Sequence, residues 1–231
     1  MSKKIVVLTG AGMSADSGLK TFRDADGLWE GHDVMEVASP QGFARDPALV
    51  LDFYNQRRRQ LLEASPNEGH KALVELEDHF EVSIVTQNVD DLHERAGSRQ
   101  VLHLHGELFK VRSTGNPADI LEWKKDLVLG DYCRSGFQLR PHIVWFGEQV
   151  PLLPKAAEIT TEADLLLIIG TSMQVYPAAS LIHYASPGIP IFFVYPRPTV
   201  SAYDFENLTI VADTAATGVP TVVSDLIGRA I

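Results

Sequence analysis

The sequence predicts an α/β fold, a parallel sheet with helices on both faces, plus a small inserted module. Three observations point there. Short apolar runs recur with helical stretches between them: Ile5-Val6-Val7-Leu8, Val82-Ser83-Ile84-Val85, Leu165-Leu166-Leu167-Ile168-Ile169 and Ile191-Phe192-Phe193-Val194. Such runs suit strands buried on both faces, and their alternation with helices suits a parallel sheet. The first run ends in Thr9-Gly10-Ala11-Gly12-Met13-Ser14-Ala15, a tight turn of small residues. Residues 107–142 have a different texture, with Ser113-Thr114-Gly115-Asn116-Pro117 and Gly130-Asp131-Tyr132, and read as the insertion.

The first turn fits G-x-G-x-x-G/A, with Gly10, Gly12 and Ala15 in the small positions, as in Rossmann-like dinucleotide sites. Gly10 is expected to permit the turn, Gly12 to let backbone approach a pyrophosphate, and Ala15 to allow close helix packing. A helix following it would offer its free N–H groups to the anion. The dehydrogenase version carries a second strand ending in Asp or Glu about 20 residues later. Here that distance falls in Arg23-Asp24-Ala25-Asp26-Gly27-Leu28-Trp29-Glu30, acids with no apolar strand before them. A standard dehydrogenase is therefore disfavoured. On this stretch alone, an ordinary strand–turn–helix stays open.

Ser39-Pro40 opens a helix and Pro47 opens another. Residues 48–63 read as amphipathic, with Leu49, Phe53, Leu61 and Leu62 on one face and Tyr54, Arg57, Arg58 and Arg59 on the other. Pro66 ends that helix. A helix follows over 69–79, then the strand Val82–Val85, a helical 91–96 and a third strand Val101–His105. Within 107–142, Leu121, Trp123, Leu127, Val128, Tyr132 and Phe137 are the expected apolar core. The main pattern resumes with Ile143-Val144-Trp145-Phe146-Gly147. It continues through a helix over 151–162, the strand 165–169 ending in Gly170-Thr171-Ser172, a helix over 177–185, strands 191–194 and 208–211, and a helix over 219–229. The chain thus reads as a single domain, 1–231. Its large part covers about 1–30, 69–106 and 143–231, and its small module about 31–68 and 107–142. Ligands of such sheets sit beyond the carboxyl ends of the strands. Polar clusters follow Leu8, Val85, Leu104 and Ile169, all at expected strand ends.

Composition narrows the function. The 231 residues are 45% hydrophobic and 22% charged, with a net charge of −10. That balance disfavours nucleic acid and anionic membranes as partners. No apolar run approaches a membrane span. Met1-Ser2-Lys3-Lys4 leads straight into a strand, so no signal peptide is expected, and the lone Cys133 excludes an intramolecular disulfide. The expected address is cytoplasmic.

Three clusters carry chemistry. Gln87, Asn88 and Asp90 put two amides and a carboxylate after a strand. They suit a ribose and a carboxamide, and equally a turn that satisfies its own backbone. His103 and His105 alternate, so both leave one face of the expected strand. A metal pair or a structural role is open to each, but no third ligand stands nearby. His105, at the strand end before Gly106, can take a proton near neutral pH. Tyr54 and Arg57 lie three apart and share a helix face. A phenol beside a guanidinium suits a carboxylate. With Arg58 and Arg59 adjoining, the plainer alternative is a solvated basic face.

Four stretches together resemble the sirtuins, the NAD-dependent protein-lysine deacylases. They are Gly10 to Gly18 with Leu19-Lys20-Thr21-Phe22-Arg23, then Thr86-Gln87-Asn88-Val89-Asp90-Asp91-Leu92-His93, His103-Leu104-His105-Gly106, and Gly170-Thr171-Ser172. The resemblance implies that NAD is consumed as co-substrate. It implies cofactor contacts at Gly10, Ala11, Gly12, Ser14, Ala15, Gly18, Phe22, Arg23, Trp29, Gln87, Asn88, Asp90, Gly170, Thr171, Ser172 and Ala215. Gln87 would meet the nicotinamide ribose, Asn88 substrate and water, and Asp90 the carboxamide. Phe22-Arg23 would sit on a lid over NAD. His105 would be the general base on the ribose hydroxyls, with Asn88 its catalytic partner and His103 structural. His142 to Glu148 resembles the acyl-lysine tunnel, placing Val144, Phe146, Gly147, Glu148 and Val175 against the acylated lysine of a protein. Phe53-Tyr54-Asn55-Gln56-Arg57-Arg58 resembles the Tyr-x-x-Arg signature of the branch that removes succinyl and malonyl groups. In the implied reaction the acyl oxygen displaces nicotinamide, and His105 frees a ribose hydroxyl to attack the resulting amidate. Water then completes the release of free lysine and O-acyl-ADP-ribose.

Two departures stand out. Sirtuins carry four zinc cysteines, whereas this chain has Ser113 at one such place and Cys133 alone. One thiolate with Asp131 and His142 is a poor set, so zinc is not expected and no metal ligand is assigned. Tyr195-Pro196-Arg197 replaces the family's Asn-Leu-Glu near the adenosine. An NAD glycohydrolase or ADP-ribosyltransferase on the same scaffold is one alternative, and a noncatalytic NAD or ADP-ribose sensor is another. The sensor would need neither His105 nor Asn88.

Overall fold

The computed structural model describes residues 3–20, 28–29, 31–198, 205 and 207–230. In chain order these form β1 (Lys4–Thr9), α1 (Gly12–Ala15), β2 (Leu28–Trp29), β3 (His32–Asp33), α2 (Val34–Val37), α3 (Pro40–Arg45), α4 (Pro47–Glu63), α5 (Glu68–Leu76), β4 (Glu81–Thr86), α6 (Leu92–Ala96) and β5 (Val101–His103). There follow β6 (Gly106–Ser113), β7 (Ile120–Glu122), β8 (Leu139–Ile143), α7 (Leu153–Thr161), β9 (Leu165–Ile169), a 3₁₀ helix (Ala178–Tyr184), β10 (Ile191–Val194), β11 (Leu208–Val211) and α8 (Ala215–Ala230).

Among the described residues the main sheet runs β11-β10-β9-β1-β4-β5, every pair parallel. Side chains of a strand alternate between faces, and β1 shows why the run had to be apolar throughout. Ile5 and Val7 pack with Leu73 and Leu76 of α5 and Val219, Val222 and Val223 of α8. Val6 and Leu8 face the other way, with Leu166, Ile168, Phe193 and Ala156 of α7. From β1 the chain winds outward through β4 and β5, then returns to the other side through β9, β10 and β11. The winding reverses between β1 and β9, and the crevice above such a reversal is where ligands of these sheets bind.

The smaller part is a three-stranded antiparallel sheet, β7-β6-β8, packed on α4. Its boundaries differ from expectation. The strand ending in His105 stops at His103, because Leu104 and His105 turn the chain and Gly106, at φ +83°, pairs with Ile143 of β8. Residue 143 therefore does not re-enter the main sheet but closes the small one. The module core also differs. Leu127 is buried and Trp123 partly so, whereas Leu121, Val128, Tyr132 and Phe137 are exposed. Only the face turned to α4 needs cover, and Leu51, Val111, Cys133 and Leu139 supply it.

Helix α4 is less amphipathic than its sequence suggests. Leu62 is exposed, while Tyr54, Arg57 and Arg58 are buried. Arg58 is tolerated there because its Nε donates to the Leu108 carbonyl at 3.1 Å and its Nη1 to Asn55 Oδ1 at 2.6 Å. Only Arg59 of the trio is solvated, paired with Asp126 at 2.8 Å. The solvated basic face is thereby excluded. Helix α8 begins at Ala215 and not at 219. Asp213 gathers the N–H of Thr214 and the hydroxyl of Thr217, and Gly218 N donates to the Thr214 carbonyl, so a turn forms upstream of Pro220. The helix expected over 177–185 is a 3₁₀ helix.

Candidate active site at the carboxyl edge of the sheet

The turn after β1 is moulded against the turn after β9. Gly10 N donates to the Ile169 carbonyl at 3.0 Å, and Gly12 N to the Gly170 carbonyl at 2.8 Å. A Cβ on Gly10 would come within 2.7 Å of the Thr171 Cβ, and one on Gly12 within 2.8 Å of the Gly170 Cα. The glycines are thus required first by loop-to-loop contact. The Gly12 N–H is committed to the chain itself, not to an anion. Helix α1 is a single turn, and Ala15 is exposed.

Above these turns lies a cavity of about 350 Å³. Its walls include Gly10, Ala11, Gly12, Ser14, Trp29, Gln87, Asn88, Asp90, His105, Gly170, Thr171 and Ser172, with Tyr54, Arg57, Val144, Phe146, Gly147, Glu148 and Val175. The sirtuin resemblance implies a site at all of these. Ala15 and Gly18 do not line the cavity. Nor does Ala215, which is buried where α8 meets Gly69 of α5. Phe22 and Arg23, with the expected lid, lie outside the described residues. Tyr195, noted as a departure near the adenosine, lines the cavity, and so does Gln60, which was not singled out for it. Gln60 was findable, since it lies three residues beyond Arg57 on the same helix face.

The floor is a connected polar set. Asn88 Nδ2 donates to Ser14 Oγ at 3.2 Å, and Ser14 donates to Asp90 Oδ2 at 3.0 Å. Leu92 N donates to Asp90 Oδ1 at 3.2 Å. Burial pushes the Asp90 carboxyl above its ordinary value, against the pull of those donors. The Asn88 N–H donates to Thr86 Oγ1 at 3.0 Å, and Gln87 Nε2 reaches Thr171 Oγ1 at 3.4 Å.

The two histidines brace this loop differently. His105 Nδ1 lies 3.1 Å from the Gln87 carbonyl, which can only accept, so Nδ1 carries the proton and Nε2 the lone pair. Burial lowers the His105 pKa, with the Gln87 carbonyl opposing, which keeps the ring neutral near pH 7. His103 Nδ1 lies 3.0 Å from the Asn88 carbonyl and Nε2 2.8 Å from Glu94 Oε1. Burial disfavours its charge, but Glu94 and the Asn88 carbonyl outweigh burial and raise its pKa. His103 is thus a buried strut, and the two rings are not a metal pair. Among the described residues no group of three or more His, Cys, Asp and Glu could hold a metal.

The far end of the cavity lies against α4. The Arg57 guanidinium sits 4.6 Å above the Phe53 ring, and its Nε donates to Gln60 Oε1 at 3.3 Å. Trp29 stands edge-on to Phe53, with ring centroids 4.9 Å apart. Tyr54 is 1% exposed and its hydroxyl accepts from Trp145 Nε1 at 3.0 Å. Along 143–146 burial alternates: Ile143 and Trp145 are buried, Val144 is half-buried and Phe146 exposed, and all four border the cavity. Three N–H groups of the segment are already committed within the chain. Val144 N donates to the His105 carbonyl, Phe146 N to the Ala38 carbonyl and Trp145 N to Glu148 Oε2.

Comparison with known proteins identifies the family. The profile of the Sir2 family matches residues 10–177. A protein of Helicobacter pylori named NAD-dependent protein deacylase is 63% identical over 195 residues, covering 84% of this chain and 85% of that one. A Bacteroides thetaiotaomicron protein of the same name is 52% identical over 223 residues, covering 94% of this chain and 95% of its own. The crystal structure of a Sir2 homolog–NAD complex superposes with a TM-score of 0.88 at 39% identity, spanning 100% of this chain and 91% of that chain.

Proposed function

Since the chain belongs to the Sir2 family, we propose that it is an NAD-dependent protein deacylase, and that its acyl groups include succinyl and malonyl beside acetyl. The residues present suit NAD. The cavity is bounded by the Gly10–Gly12 backbone, Thr171 and Ser172, and it has the buried amide, hydroxyl and carboxyl set of Asn88, Ser14 and Asp90 at its floor. When bound, NAD supplies an electrophilic ribose carbon with nicotinamide as leaving group.

This chain's residues supply position and proton transfer. The observation that carries the reading is the His105 tautomer: with Nδ1 committed to the Gln87 carbonyl, Nε2 is a base in the same cavity as Asn88 and Asp90. Such a base accepts a proton from a ribose hydroxyl. Asn88, oriented by Ser14 and Thr86, offers its side-chain oxygen to substrate or water. Val144 and Phe146 flank the lysine stem, and an acylated lysine side chain of a protein enters between them. Tyr54 and Arg57 receive a carboxylate at the acyl end, where a guanidinium gives two parallel donors.

The test is incubation with NAD and lysine peptides bearing acetyl, malonyl and succinyl groups, read by mass spectrometry. Nicotinamide, free lysine and O-acyl-ADP-ribose are expected from all three. Nicotinamide release without deacylation would instead identify an NAD glycohydrolase, and turnover of acetyl peptides alone would remove the carboxylate reading.

A further inference from the structure

One hydrogen bond at the acyl end has a fixed direction. An indole nitrogen only donates, so the 3.0 Å contact from Trp145 Nε1 uses a lone pair of the Tyr54 oxygen. The hydroxyl's own proton is left for another acceptor, and among the described residues none takes it. Burial holds that proton on oxygen by pushing the Tyr54 ionisation far up, against the Trp145 bond and the Arg140 charge. Tyr54 is therefore a committed donor on the wall of the cavity, beside Arg57.

Trp145 is itself clamped. The Arg140 guanidinium lies 3.3 Å from the centre of its ring, and Phe43 packs on it with centroids 5.3 Å apart. Its main-chain N–H donates to Glu148 Oε2 at 2.8 Å. Glu148 is gripped in turn by Arg140 at 2.7 and 3.1 Å and by Arg112 at 3.1 Å. Two arginines and a carboxylate thus hold one indole, and its N–H donates to the Tyr54 oxygen.

We propose that Trp145 is a positioning residue for acyl specificity: its indole N–H, held by the Arg140–Glu148 clamp, orients the Tyr54 hydroxyl as a donor to the acyl carboxylate. The proposal rests on the reading that Tyr54 and Arg57 receive that carboxylate. An acetyl group has no such acceptor, so the orientation of the hydroxyl matters little to it.

The experiment is a double-mutant cycle on kcat/KM for succinyl and acetyl peptides, using wild type, Trp145→Phe, Tyr54→Phe and the double variant. Loss of one net hydrogen bond corresponds to about a fivefold change. Trp145→Phe should lower the succinyl-to-acetyl ratio by about that much, mainly through a rise in KM for the succinyl peptide. In the Tyr54→Phe background, where no hydroxyl remains to orient, the same substitution should move the ratio by less than about twofold. Equal losses on both peptides, or the same added loss without the hydroxyl, would show that Trp145 serves only the fold. Should the phenylalanine variant not fold, benzothienylalanine at 145 replaces the N–H by sulfur within the same ring outline and gives the same reading. A wild-type protein inactive on succinyl and malonyl peptides would overturn the carboxylate reading and this inference with it. Wild-type desuccinylation with an unmoved ratio would overturn this inference alone.

Discussion

At the scale of the residue, His105 is held neutral by burial and in one tautomer by the Gln87 carbonyl. His105→Ala should cost about 10²–10⁴-fold in deacylation with the fold intact. Activity within a few-fold of wild type would remove His105 from the mechanism. A base works deprotonated, and its pKa lies below the ordinary imidazole value of about 6.5. The acid limb of the kcat/KM profile should therefore fall below that pH. A limb centred above it would mean that another group titrates. Arg57 gives the second prediction. A hydrogen bond to a charged group is worth about 1.5–3 kcal/mol, so Arg57→Met should lower desuccinylation by about one to two decades. Deacetylation should fall far less, and equal losses would assign Arg57 to the fold. The pairing of Tyr54 with Arg57 was legible because a helix repeats every three to four residues. The partner of Tyr54 was not. Trp145 lies far along the chain, and only packing brings its indole to the phenol.

At the scale of the element, α5 and α6 meet through two buried imidazoles. The rings of His70 and His93 lie 4.8 Å apart behind the floor of the cavity, and His93 Nε2 is 3.2 Å from the Thr9 hydroxyl at the end of β1. Burial lowers the His70 pKa to about 4. It holds His93 well below its ordinary value too, with His70 and His103 adding to the effect. In the unfolded chain both rings bind protons from about pH 6.5 downward. The native state resists, so stability is whole above that pH and is lost progressively as pH falls towards about 4. His103, whose pKa is raised, acts in the opposite sense and loses its contribution as pH rises through its folded value. His70→Gln tests the His70 contribution. His70 Nδ1 accepts from Asn67 N in a capping box, a place that Gln fills without titrating. The fall in Tm between pH 7.5 and 5 should be shallower in the variant, and an unchanged slope would clear His70. Strands and long helices were legible at this scale from their periodicity. Boundaries set by remote contacts were not. The strand through His103 ends early because Gly106 pairs with Ile143, and α8 begins early because Asp213 caps a turn that Pro220 alone would not suggest.

At the scale of the whole molecule, the small module stands on apolar contact with α4. Cys133 donates to the Ser113 hydroxyl at 3.2 Å, and Ser113 also accepts from Gly115 N and Asn116 N. Asp131 is committed to the N–H of Val128. We expect metal analysis to find well under one zinc per chain, with Tm unchanged by a chelator. One equivalent of zinc, with Tm collapsing on its removal, would overturn this. The apolar cover of the module was misread because a sheet packed on one face leaves its other face wet, and sequence does not say which. The crevice at the sheet edge was legible, since glycine turns and polar clusters follow the strands. Its shape was not, because the turn after β1 takes its form from the turn after β9. That contact bears on how the protein comes into being. A ribosome delivers Gly10 long before Gly170. Until then the first turn has nothing to be cast against, whatever its own residues prefer. The nascent chain therefore waits for β9, and the glycine turn comes into being when that strand slides in beside β1.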